Sequence, residues 1–94
     1  GDNEQAVLKI KKSIKLASKT NNSKQEGKSL QILISIYFTI NNYPEAKKQA
    51  LLLVEKCKNH KEIAELEIVA NLFLGLINDE QNYYNLSILY YQKA

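Results

Sequence analysis

The sequence repeats itself. Displaced by 41 positions, Leu33 falls on Leu74, Asn41 on Asn82, Tyr43 on Tyr84, Ala46 on Ser87 and Leu53 on Ala94. Displaced by 40, Ala46, Ala50 and Val54 fall on Ala6, Ile10 and Ile14. A single unit of this length cannot bury its own apolar face, so the copies must stack and share a core. At 94 residues the chain has room for one domain. Three Gly and one Pro are too few for the frequent turns of a β-sandwich.

The apolar residues recur at helical spacing. Val7, Ile10, Ile14 and Ala17 form one stripe of a first helix opened by Asn3-Glu4 and stopped by Thr20-Asn21-Asn22-Ser23. A second helix, about Lys24 to Ile40, carries Leu30, Leu33, Ile34, Tyr37 and Ile40 on one side. Asn41-Asn42-Tyr43-Pro44 ends it, and Pro44 suits the first turn of the next helix. The third helix runs to about Lys58 with Ala46, Ala50, Leu53, Val54 and Cys57 inside. The fourth, about Lys61 to Asn78, is apolar nearly all round from Ile68 to Ile77 and needs cover on more than one side. After the polar Asp79-Glu80-Gln81-Asn82, Tyr83 to Ala94 reads as a fifth helix. The expectation is an all-α stack of antiparallel hairpins.

The repeating unit is a helix, a turn near Asn-x-Tyr, and a second helix opening on a small residue. It resembles the tetratricopeptide repeat. Leu74-Gly75, Asn82, Tyr84, Ser87, Tyr91 and Ala94 stand where that family has Leu-Gly, a turn Gly, Tyr, Ala, an aromatic and Ala. Leu33, Tyr37, Asn41, Tyr43, Ala46 and Leu53 hold the matching places upstream. Ile34 stands where the close-packing Gly is expected, and Asn78 replaces an aromatic. The resemblance implies a right-handed α-solenoid of five helices, with residues 3–20 the second helix of an incomplete unit. Residues 24–59 would be a full unit and 61–94 a unit cut short. The long spacing is similar to that of units in bacterial sensory and regulatory proteins and some eukaryotic scaffolds. The chain accordingly reads as a piece of a longer array, or as one whose solenoid ends self-associate.

All 13 basic residues are Lys, and the net charge is +3. Arg is the side chain for bidentate phosphate and base recognition, so its absence argues against a nucleic-acid reader. Residues 1–24 carry a local balance of +4, and residues 63–94 one of −3. The polar, acidic start is unlike a signal peptide and no uncharged run is long enough to span a bilayer. The expected location is the cytoplasm.

Catalysis finds little support. His60 is the only His and falls at a helix junction. Cys57 and His60 have the spacing of half a zinc site, with no second pair to complete it, so neither a metal nor a cofactor is expected. Cys57 lies on an apolar stripe and reads as a buried thiol. Tyr84 and Tyr91 match packing positions, leaving Tyr83 and Tyr90 to point toward a further helix or a partner.

In the family resembled, the first helices of successive units line a groove. Carried onto this chain, that wall comprises Lys28, Gln31, Ser35, Phe38 and Thr39, then Val69, Leu72, Leu76 and Asp79. Only Lys28 suits the clamping of a C-terminal carboxylate, so a helical or apolar peptide segment is the expected partner. The resulting expectation is a non-enzymatic protein-binding module of a larger bacterial regulatory or sensory protein. The alternative is the effector-sensing segment of a transcription regulator or sensor kinase. A third reading attaches the Lys-rich first helix weakly to nucleic acid or an anionic membrane.

Overall fold

A computed structural model of the chain describes every residue except Tyr83, and of Tyr84 the backbone alone. Five α-helices follow one another: α1 (Asp2–Lys19), α2 (Ser23–Thr39), α3 (Tyr43–Asn59), α4 (Leu66–Glu80) and α5 (Tyr84–Lys93). A single turn of 3₁₀-helix, Lys61–Ile63, precedes α4. No strand occurs among the described residues. Each helix packs on the next through a short connection, and α2 also touches α4. The Cα extents are 38 × 36 × 13 Å, a flat slab with α1 at one edge and α5 at the other. This is the all-α stack that the periodicity predicts.

Two of the connections are nearly identical, and the described residues of a third share their key feature. Asn21, Asn41 and Asn82 have φ of 54°, 63° and 65°, the left-handed region where Asn is one of the few tolerated side-chain-bearing residues. The amide of Asn22 then reaches back to the Ala17 carbonyl and that of Asn42 to the Tyr37 carbonyl, both at 2.8 Å. The same two residues cap the following helices: Asn22 Oδ1 accepts from the Gln25 amide and Asn42 Oδ1 from the Glu45 amide. One Asn-Asn pair thus ends one helix and starts the next. The turn at Asn21 is a third copy that the 41-residue self-comparison does not align.

The α3–α4 connection differs. The fourth helix starts at Leu66, not Lys61, and runs on through Asp79 and Glu80, so the polar turn shortens to Gln81-Asn82. His60 is extended, the 3₁₀ turn follows, and Ile63 drops into the core with 2% exposure. It meets Gly27, where a Cβ would lie 2.8 Å from Leu66 Cδ1 and 3.4 Å from Ile63. A straight helix from Lys61 would carry Ile63 away from this seat. Cys57 Sγ, buried, donates to the Ile63 carbonyl at 3.2 Å, and Ser23 Oγ donates to Glu62.

The core is continuous along the slab. Leu30, Ile34, Ala50, Leu53, Cys57, Ile63, Ala70 and Leu74 form one cluster, and Leu33, Tyr37, Ala46 and Ile77 another, bridged by Ile14 and Phe73. The repeat pairs Leu33 and Leu74, and Ala46 and Ser87, are all buried. At Gly75 a Cβ would lie 2.5 Å from the Tyr91 ring, so the absent side chain is what lets α5 approach. Upstream, the corresponding pair is Ile34 and Ala50: the large residue sits on the first helix and the small one on the second, inside the same cluster. The departure at Ile34 is therefore a volume exchange across one contact. Asn78, in the place of Tyr37, is fully buried; its Nδ2 donates to the Leu74 carbonyl at 2.7 Å and its Oδ1 accepts from Lys47 at 3.3 Å.

Candidate peptide-binding face

Helices α2 and α4 run in the same direction, with α3 packed behind both. On α2 the residues away from the core are Lys28, Ile32, Ser35 and Thr39, with Gln31 half-buried beside them. On α4 they are Leu72 and Leu76, 43% and 42% exposed, with Val69 half-buried. Their 3–4 spacing places each set on one flank of its helix. Gln31, Ile32, Ser35 and Ile36 of α2 meet Phe73 of α4 around a shallow cleft of about 260 Å³. A smaller cleft of about 200 Å³ lies by the N-termini of the two helices, lined by Lys24, Lys28, Glu62, Glu65 and Leu66. The face is thus apolar along its middle and charged at that end.

Two residues expected on this wall are otherwise engaged. Phe38 stacks edge-on against Tyr43, at 5.6 Å between centroids, and against Phe73 at 6.0 Å, and so joins the two helices instead of facing outward. Asp79 turns toward α5, where a carboxylate oxygen accepts from the Tyr91 hydroxyl at 3.0 Å. That bond, the carboxylate charge and above all the partial burial of the ring raise the Tyr91 pKa above the ordinary phenolic value. Conversely, Ile32 is 47% exposed on the α2 wall and Phe73 floors the cleft. Helical spacing sets Ile32 opposite Leu30, Leu33, Ile34 and Tyr37, and what the sequence does not show is that Phe73 of α4 lies beside it. Nor does α4 receive cover all round: Ile68, Leu72 and Leu76 remain open.

The remaining chemical groups are accounted for locally. Burial, then the charges of Glu67 and Glu65, push the Cys57 thiol up to about 11, the reverse of an activated nucleophile. His60 Nδ1 lies 3.5 Å from Glu62, both well exposed. The Ser23 hydroxyl, a backbone bond and His60 lower the Glu62 pKa. No group of three or more His, Cys, Asp or Glu suited to a metal ion occurs among the described residues. No helix of the structure is long and apolar enough to cross a membrane. Tyr90, expected to point away, is half-buried against the core behind α3 and α4. Tyr83 and the side chain of Tyr84 lie outside the described residues. No protein-family model matches the chain, and neither does any curated protein or solved structure.

Proposed function

We propose that this chain is a non-enzymatic helical-repeat module of the tetratricopeptide type that holds a protein partner against the α2–α4 face. The observation that carries the reading is the pair of neighbouring helices whose outward flanks, Ile32 on one and Leu72 and Leu76 on the other, leave large apolar residues uncovered on either side of the Phe73 cleft. Aligned left-handed Asn residues at 41 and 82, and the exchanged pairs Ile34–Ala50 and Gly75–Tyr91, support the repeat. The partner is an amphipathic helix or apolar segment, because the middle cleft joins Ile32, Ile36 and Phe73 to the uncharged Gln31 and Ser35, and the lysines at the far end, Lys24 and Lys28, stand beside Glu62 and Glu65. In the parent protein the module serves a regulatory or sensory output of the bacterial kind. Cytoplasmic residence belongs to the same reading.

The test is site-specific photo-crosslinking in native lysate, with the reactive group at Ser35 on the face or at Leu52 on the exposed side of α3. The Ser35 probe is expected to label an apolar or helical segment of a partner, and Leu72→Asp with Leu76→Asp to abolish the label while the circular dichroism of the fold is kept. Equal labelling from both positions, or labelling indifferent to the two aspartates, rejects the face. Ile32 and Leu72 are better sites for disruption than Phe38, whose ring holds α2 to α4.

A further inference from the structure

We infer that α1 is a docking surface for an anionic lipid bilayer. The helix buries Val7, Ile10, Ile14 and Ala17 toward α2, and at 100° per residue the opposite side carries Leu8, Lys12, Lys15 and Lys19 along its centre, flanked by Lys9, Lys11 and Leu16. All five lysines are exposed, and no acidic residue lies between Gln5 and Gln25. The result is a single-sign stripe from Leu8 to Lys19, about 18 Å long at 1.5 Å per residue. Helix α1 packs on α2 through the opposite, apolar side.

Two further observations select a bilayer over another polyanion. Leu8 and Leu16, 53% and 64% exposed, stand two turns apart among the lysines, where water gains nothing from them and an interface does. Leu8 also lines a largely apolar cleft of about 390 Å³ with Val7, Tyr37 and Ile40, rimmed by Asn3 and Glu4, at the N-terminal end of the same helix. Nucleic-acid binding would favour arginine forks or stacking aromatics, and the outer side of α1 has neither. Lysines with long stems can hold their ammonium groups among lipid phosphates while the leucines enter the headgroup boundary. Opposing charge is confined to the N-terminal end: Asp2, and Glu4, whose carboxylate lies 3.5 Å from the Gly1 amine. Glu26, on α2, is held by Lys56 at 2.9 Å.

Sedimentation with vesicles of phosphatidylcholine alone, or with 30% phosphatidylserine, is the test. The chain is expected to partition onto the mixed vesicles and not the neutral ones, with binding weakening steeply from low to physiological salt. Each lysine contributes about 1 kcal/mol near such a surface, roughly fivefold, so Lys12→Gln with Lys15→Gln and Lys19→Gln lowers partitioning about a hundredfold. Leu8→Gln with Leu16→Gln, both exposed, lowers it severalfold further while circular dichroism shows the fold retained. Equal binding to the two vesicle types overturns the inference. So does a single-stranded oligonucleotide that binds as tightly as the vesicles and ignores the leucine changes, which would make the stripe a general polyanion surface.

Discussion

At Gly75 the fold depends on one absent methyl group. The Tyr91 ring occupies the space where a Cβ would stand, and its hydroxyl is anchored to Asp79. Gly75→Ile should therefore destabilise the chain by about 1–3 kcal/mol through overpacking. Adding Tyr91→Ala should recover most of that loss, because Ile opposite Ala is the combination the upstream unit uses at Ile34 and Ala50. A double-mutant cycle by urea unfolding measures the coupling; additive effects would refute the exchange. Cys57 gives a second prediction at this scale. Its thiol rises from an ordinary 9.0 to about 11 in the fold, so below pH 9 both states hold the proton and stability is unaffected. Between pH 9 and about 11 the unfolded chain releases it first, and stability falls as pH rises. The difference between wild type and Cys57→Ala should change across that window and be flat below it.

Among the elements, the turns are more alike than the helices they join. Asn21, Asn41 and Asn82 all hold a positive φ, so Gly at any of them should be tolerated within about 1 kcal/mol of the original stability. Asn41→Val should cost about 1–2 kcal/mol for the left-handed backbone, and more through loss of the bond its Oδ1 accepts from the Tyr43 hydroxyl at 2.9 Å. Thermal melts of the Gly and Val pair at Asn41 separate backbone strain from loss of the side chain. The sequence made Asn41 and Asn82 visible because they align at 41 residues, whereas Asn21 sits 20 residues before Asn41 and falls outside that register. The 3₁₀ turn before α4 left no such mark. Ile63 looks like any helical apolar residue, and only the space above Gly27 shows why the chain bends there.

The whole molecule is a line of neighbours and not a closed ball, so its ends are held by fewer partners than its middle. Amide exchange should rank α3 as most protected, lying between α2 and α4, with α1 and α5 opening at lower free energy. Uniform protection across the five helices would show a cooperativity that this geometry does not supply. The same openness leaves Leu72, Leu76 and Ile32 uncovered on one face and Leu86, Ile88 and Leu89 on the last helix.

Local rules decided the helices: periodic apolar residues, Asn and Pro at the breaks, and small residues where helices approach are short-range signals, each readable within a few turns of chain. They also marked most of the core, since Leu33, Ala46, Leu53 and Leu74 are buried where the repeat places them. Tertiary packing alone decided how far a stripe is covered, as with Ile40, which shares its side with Leu33 and Tyr37 yet is 37% exposed. It alone turned Phe38 into a bridge and Asp79 toward Tyr91. Burial belongs to pairs of surfaces: a residue's pattern states that it can be covered, and only the neighbouring helix determines whether it is.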